Sequence, residues 1–150
     1  MNKEERFWVL LAEDSTLHAE PLREFFEFKG LKCEYVYTHE DALKCVQENI
    51  TNPPLIMVLD VRLPALREGI AVANNVWTMQ HEYQINPTFA LFISVFDEDH
   101  YKIELEALSQ RFRLIFPNYP KRWQFIQKPI AFVQLDAIVS DLMHGGQKED

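Results

Sequence analysis

Cysteine is scarce in this chain, positive charge is in deficit, and no apolar run is long. Two cysteines, Cys33 and Cys45, occur in 150 residues. They form neither a C-x-x-C pair nor metal-type spacing, so reduced thiols of a cytosolic protein are expected. Lys and Arg number 15 against 23 Asp and Glu, for a formal net charge of −8. That balance argues against nucleic-acid binding as the main role, because neutralising phosphates needs a basic surface. No stretch approaches the roughly 20 apolar residues of a membrane-spanning helix. The run Phe7 to Ala12 is too short for a signal-peptide core and is closed by Glu13-Asp14. Repeats, low-complexity segments and interdomain linkers are missing too. The expectation is one soluble, cytoplasmic domain over 1–150, with its core at about 7–143 and a short charged tail at 144–150.

What is present is apolar sequence in short, unbroken pieces, with 47% of residues hydrophobic. Leu55-Ile56-Met57-Val58-Leu59 runs without a polar residue and ends on Asp60. Such a run reads as a strand buried on both faces of a parallel sheet, and Pro53-Pro54 before it blocks a helical start. Phe7 to Ala12 ends the same way on Glu13-Asp14, Phe89 to Ile93 on Ser94, and Trp123 to Gln127 on Lys128. Cys33 to Tyr37 alternates, which predicts a wetter, edge strand. Between these lie helical patterns. Leu22, Phe25 and Phe26 follow a Ser15 or Asp14 cap, with Pro21 inside the pattern and Lys29-Gly30 as its end. Thr38 to Asp41 has the form of a capping box. Ile70, Ala73, Val76 and Trp77 mark a helix from about Glu68, and a less regular one spans about Glu98 to Phe112. Arg113 to Arg122 reads as irregular. The last helix, with Leu135, Ile138, Val139 and Leu142, is expected to end at Gly145-Gly146. Strand and helix alternate throughout, which predicts an α/β, doubly wound parallel sheet.

Parallel strands share one carboxyl edge, and ligands of such sheets bind there. Glu13, Asp14, Asp60, Ser94 and Lys128 therefore converge. Three carboxylates in one pocket repel each other. Hard oxygen donors without His or Cys favour Mg²⁺, which keeps waters and room for a phosphate oxygen. Lys128 adds a point charge for Asp60 or a phosphoryl group, Ser94 a hydroxyl donor. Asp60, at the centre, is placed to attack phosphorus and hold an aspartyl-phosphate. The bland alternative is a salt-bridged strand edge with no chemistry.

The segments Val9-Leu10-Leu11-Ala12-Glu13-Asp14-Ser15, Val58-Leu59-Asp60-Val61-Arg62-Leu63-Pro64, Ile93-Ser94 and Phe125-Ile126-Gln127-Lys128-Pro129 resemble the receiver domains of two-component response regulators, in the right order and across essentially the whole chain. The resemblance implies a flavodoxin-like fold with strand order 2-1-3-4-5. It implies that Asp60 accepts a phosphoryl group from a histidine kinase or histidine phosphotransfer protein. Mg²⁺ would be held by Glu13, Asp14, Asp60 and the main-chain carbonyl of Arg62, and Ser94 and Lys128 would contact the phosphoryl oxygens. Phe125 would be the aromatic switch residue that moves with Ser94. A stand-alone receiver of this kind is a stoichiometric acceptor and not an enzyme.

Departures from the pattern are visible. Val95 stands where the family has a small residue, and its β-branch is expected to narrow access to Asp60. The turn before Gly69 and the segment 97–123 are longer than usual. In that segment Arg111, Arg113, Lys121 and Arg122 alternate with Phe112, Phe116, Tyr119 and Trp123. The family signals through its fourth helix and fifth strand. Arg113, Phe116, Tyr119, Arg122 and Trp123 are therefore the candidate surface for an acidic partner or a second copy; a loop packing its own aromatics is the alternative. Two rival functions remain in view. One is a receiver-fold binding module that works without phosphorylation. The other is a haloacid-dehalogenase-like phosphatase, which needs a second acid where Arg62 stands.

Overall fold

The computed structural model describes residues 7–62 and 68–148. Its strands are β1 (Trp8–Ala12), β2 (Lys32–Val36), β3 (Ile56–Asp60), β4 (Phe89–Ser94) and β5 (Trp123–Gln127). All neighbours are parallel, in the order β2-β1-β3-β4-β5. Helices α1 (Thr16–Phe28), α2 (His39–Glu48), α3 (Glu68–Glu82), α4 (Lys102–Ile115) and α5 (Phe132–Lys148) alternate with them, and a 3₁₀ turn (Glu98–Tyr101) precedes α4. This is the expected flavodoxin-like, doubly wound sheet.

Every residue of β1 and β3 is buried, as unbroken apolar runs require when helices cover both faces. Strand alternation divides the core in two. Leu10, Met57, Leu59 and Phe92 pack with Val46 of α2, Trp77 of α3 and Leu105 and Phe112 of α4. Val9, Leu11, Val58 and Ile93 pack with Leu22 and Phe26 of α1 and Leu135 and Val139 of α5. β2 is the wetter edge that its alternation predicts, with Lys32 exposed and the rest half-buried. Gln80 and Thr88, two buried polar residues of this core, satisfy each other. Gln80 accepts from the Thr88 N–H at 2.9 Å and donates to its hydroxyl at 2.7 Å, and Trp77 Nε1 donates to the Thr88 carbonyl at 2.7 Å. These bonds tie α3 to the start of β4. Cys33 and Cys45 are both free thiols, pushed up by burial to about 12 and about 11. The thiolate is therefore strongly disfavoured.

Caps set the turns that lead out of the sheet edge. The Ser15 hydroxyl accepts from the His18 N–H and starts α1, and Thr38 accepts from the Asp41 N–H at 3.1 Å and starts α2. Pro21 lies within α1 rather than before it. It forfeits only the bond to the carbonyl of Leu17, an exposed residue near the helix start.

Two expected boundaries are corrected. The helix after β4 does not stop at Phe112; it runs to Ile115, and the Phe116 N–H still donates to the Phe112 carbonyl at 2.8 Å. Only 116–122 is irregular. The last helix does not end at Gly145-Gly146 but continues to Lys148. Nothing lies within 4 Å of a Cβ position at Gly145, so no close approach there calls for glycine. Leu63 and Pro64, expected in the turn after Asp60, fall outside the described residues.

Candidate functional site

The shared register carries the strand ends to one edge. Ala12 lies beside Leu59, Asp60 beside Ile93, and Ser94 beside Gln127. Glu13, Asp60, Ser94 and Lys128 therefore sit at or one step past the last paired residues. Their main chains are fixed as well. The Glu13 N–H donates to the Val36 carbonyl at 3.2 Å, Val61 N–H to the Ile93 carbonyl at 3.0 Å, and Lys128 N–H to the Ser94 carbonyl at 2.7 Å.

Lys128 is the hub. Its Nζ donates to Glu13 Oε2 at 2.7 Å and to Asp60 Oδ2 at 2.8 Å, and lies 3.0 Å from Nδ1 of His18. The remaining carboxylate oxygens take main-chain donors: Glu13 Oε1 accepts from the Ser15 N–H at 3.1 Å, and Asp60 Oδ1 from the Arg62 N–H at 2.9 Å. Glu13 is fully buried and Asp60 is 6% exposed, whereas Asp14 faces solvent. A carboxylate oxygen from each of the three acids can be chosen so that all lie within 4.8 Å of one another.

Electrostatics follow from this crowding. Burial first, and then the neighbouring Asp60, raise the Glu13 carboxyl to about 7, with Lys128 offsetting part of the rise. Burial opposes the Lys128 ammonium, but its bonds to Asp60 and Glu13 outweigh that and raise its pKa. One ammonium is thus shared by two buried acids, and the cluster is under-neutralised. Three oxygen donors with deficient positive charge fit Mg²⁺. The donor set would be Glu13, Asp14 and Asp60; the main-chain carbonyl of Arg62 opens the turn directly beyond.

A pH dependence follows. Between 4.5 and about 7 the unfolded chain gives up the Glu13 proton while the folded chain keeps it. This group's contribution to stability is therefore full below 4.5 and is lost as pH rises to about 7. In the presence of a chelator, the urea midpoint should be lower at about pH 7.5 than at about pH 5, and Glu13→Gln should remove most of the difference. An equal slope in Glu13→Gln would contradict the assignment.

The other expected residues separate. Ser94 is buried at the end of β4, and Phe125 is half-buried on β5. Val95 is 52% exposed on the wall of an apolar groove of about 410 Å³, with Leu17, Pro21, Ile130 and Phe132 as further walls and His18 and Lys128 at its edge. The aromatic and basic patch of 113–123 is not assembled as expected. Phe116 and Trp123 are 8% and 6% exposed; Phe116 packs between Phe112 and Tyr119, and Trp123 packs edge-on to Phe92 and donates to Ser109 Oγ at 3.0 Å. Arg122 reaches inward to the Pro87 carbonyl and over Phe89. The core has drawn in the large rings, because that burial outweighs any benefit of display. Arg113, Tyr119 and Lys121 stay outside. Arg113 and Lys121 border a groove of about 550 Å³ that also carries Glu98, Asp99 and Glu106, so its charge is mixed and not basic.

Two residues at the site gave no sequence signal that was used. His18 lies in the first turn of α1, which starts two residues after Asp14 at the same edge of the sheet. Tyr101 is the one aromatic in the polar run Asp97 to Lys102, yet it is fully buried with its hydroxyl 2.7 Å from Ser94 Oγ. An aromatic at the inner end of a capped polar turn is the clue.

Neither a protein-family profile nor a curated protein matches the chain. Solved structures do. A signal receiver domain from Vibrio parahaemolyticus matches 97% of this chain and 95% of its own, with a TM-score of 0.66 and 23% identity. A Francisella response regulator receiver domain matches over 89% and 93%, with a TM-score of 0.62 and 21% identity. The fold is that of a response regulator receiver domain. The receiver domain of Saccharomyces cerevisiae Ssk1, solved together with the histidine phosphotransfer protein Ypd1, matches over 91% and 88%, with a TM-score of 0.70 and 14% identity. At such identities the receiver likeness is one of fold, and the residues of the site must carry the chemistry. No helix of the described residues is long and apolar enough to cross a membrane.

Proposed function

We propose that this receiver-fold chain is a cytoplasmic phosphoacceptor response regulator of a two-component system or phosphorelay, with Asp60 as acceptor. The observation that carries the reading is the cluster of Glu13, Asp14 and Asp60 at the carboxyl edge of the sheet, with one ammonium, Lys128, bound to Glu13 and Asp60. A pair of buried acids bound to a single lysine has surplus negative charge, which suits a site that takes a cation and then a phosphoryl group.

In the reaction an oxygen of the Asp60 carboxylate attacks the phosphorus of a phosphohistidine. The new P–O bond forms as the P–N bond breaks, and the imidazole leaves with that electron pair. The Arg62 N–H holds Asp60 Oδ1 and fixes the carboxylate plane. Lys128, already on Oδ2, moves with the charge to a phosphoryl oxygen, and the Ser94 hydroxyl donates to another. Mg²⁺ at Glu13, Asp14 and Asp60, with the Arg62 carbonyl, would neutralise the phosphoryl oxygens and bring donor and acceptor together. The chain is consumed as an acceptor, one phosphoryl per molecule, and turns over no separate substrate. A histidine kinase or histidine phosphotransfer protein is the proposed donor, a role supported by the likeness to a receiver solved with such a protein. The output is a changed protein-binding face at α4 and β5, for a target or a second copy.

Incubation with Mg²⁺ and acetyl phosphate should add one phosphoryl group by intact mass. The adduct should vanish with a chelator and in Asp60→Asn. An adduct that persists in Asp60→Asn would refute the acceptor role. The runner-up, a phosphorylation-independent binding module, draws on the near-burial of Asp60 and the engagement of Ser94 by Tyr101; no adduct from small donors or from a panel of histidine kinases would favour it.

A further inference from the structure

Ser94 is needed twice. The proposed reaction, on which this inference rests, requires its hydroxyl to donate to a phosphoryl oxygen on Asp60. In the structure that hydroxyl is engaged elsewhere. Ser94 Oγ lies 2.7 Å from the hydroxyl of Tyr101 and accepts from the Phe96 N–H at 3.2 Å. Either hydroxyl can be the donor of the Ser94–Tyr101 pair. Engaging a phosphoryl oxygen on Asp60 requires the Ser94 hydroxyl to leave this arrangement, so the two compete.

Tyr101 is built to register that competition. It is fully buried, and it occupies the junction where the 3₁₀ turn becomes α4, without a side-chain cap of its own. Its ring meets Phe125 at 5.9 Å and stands edge-on to His100 at 4.9 Å. His100 stacks on Phe96 at 4.5 Å, and the Arg62 guanidinium lies 5.3 Å from the Phe96 ring centre. A continuous set of ring contacts thus joins the turn after Asp60 to the start of α4. Phe125, the residue that the resemblance assigns to the switch, carries no hydroxyl and cannot bond Ser94.

We propose that Tyr101 is the switch residue of this chain: its hydroxyl holds Ser94 in the unphosphorylated state, and release of that bond on phosphorylation shifts the start of α4. The face that changes is the mixed-charge groove beside Lys102, Glu106 and Lys121, which fits a partner segment carrying both signs. Tyr101 acts through Ser94 and is a positioning residue, not a catalytic one. Its effect is a bias between two states, readable as a rate.

The test is the time course of Asp60 phosphorylation by acetyl phosphate in four chains: wild type, Tyr101→Phe, Ser94→Ala and the double variant, with Phe125→Leu alongside. Tyr101→Phe should speed adduct formation by about fivefold, the effect of one net hydrogen bond. It should have no effect in the Ser94→Ala background, and Phe125→Leu should stay within about twofold of wild type. A rate for Tyr101→Phe equal to wild type would overturn the inference. So would an equal acceleration in the Ser94→Ala background, or a larger effect from Phe125→Leu. Wild type is the internal control: if it forms no adduct, the acceptor reading itself fails and this inference falls with it. A measurement independent of variant folding uses ring-labelled tyrosine on the wild-type chain. Adding Mg²⁺ and beryllofluoride should shift the Tyr101 resonance, and an unmoved Tyr101 signal beside shifted site resonances would overturn the proposal.

Discussion

Lys128→Met should destabilise the magnesium-free chain by about 3 kcal/mol, the cost of removing the ammonium that buried Glu13 and Asp60 share. Glu13 is fully buried and Asp60 nearly so, and Lys128 donates to both at 2.7 and 2.8 Å. Without the ammonium, two buried acids face each other with no cation between them. Two conditions should relieve the loss. Lowering the pH from about 7.5 to about 5 protonates Glu13, whose carboxyl is already raised, so the penalty shrinks. Millimolar Mg²⁺ should recover most of it, because a ligand that binds only the folded state stabilises it. Urea unfolding in chelator and in Mg²⁺ measures all three. A loss below about 1 kcal/mol, the level of a surface pair, would mean that the cluster is solvated and not held by Lys128.

Gly69→Ala should be comparably damaging for a steric reason. The first turn of α3 packs directly on the segment that carries the acceptor. A Cβ at Gly69 would collide with the main-chain carbonyl of Asp60 and stand 2.9 Å from Val61 Cα. The Gly69 N–H also donates to the Val61 carbonyl at 3.0 Å, so the helix cannot retreat without losing that bond. The expected cost is about 3 kcal/mol, at the upper end for overpacking a filled site. Relief by displacement of Asp60 would slow phosphorylation by about tenfold or more. Gly145→Ala is the control. Nothing lies within 4 Å of its Cβ position, so alanine there should stabilise by about 0.5 kcal/mol through helix propensity alone. Equal melting of Gly69→Ala and wild type would show that α3 is free to move away from Asp60.

Much of this architecture was legible in the sequence, for a physical reason. A strand buried on both faces cannot tolerate polar residues, so Phe7–Ala12, Leu55–Leu59 and Phe89–Ile93 announced themselves, and each ended on the polar residue at the carboxyl edge of the sheet. Parallel topology then brings Glu13, Asp60, Ser94 and Lys128 to one edge without any side-chain information. What the sequence could not show was which groups pair across that edge. Lys128 bonds both Glu13 and Asp60, and His18 of the first turn of α1 comes within 3.0 Å of its Nζ, pairings with no sequence spacing to announce them. In the segment 97–123 the sequence left two readings open for a related reason. Phe116 and Trp123 look like a display surface beside Arg113 and Lys121, but whether an aromatic faces the core depends on the phase of α4 against the sheet. The burial of Tyr101 in a polar turn had the same origin. Gly145-Gly146 failed as a stop signal because glycine permits the left-handed turn that ends a helix without requiring it, and Gly145 does not take a positive φ.

The most direct measurement is to locate the phosphoryl group. Wild-type chain phosphorylated in Mg²⁺ would be reduced with borohydride, which converts an acyl phosphate on aspartate to homoserine, and then digested and mapped by peptide mass. The account predicts homoserine at position 60 and nowhere else. Reduction at another acid, or a phosphoryl group resistant to borohydride on Ser94 or a histidine, would contradict it.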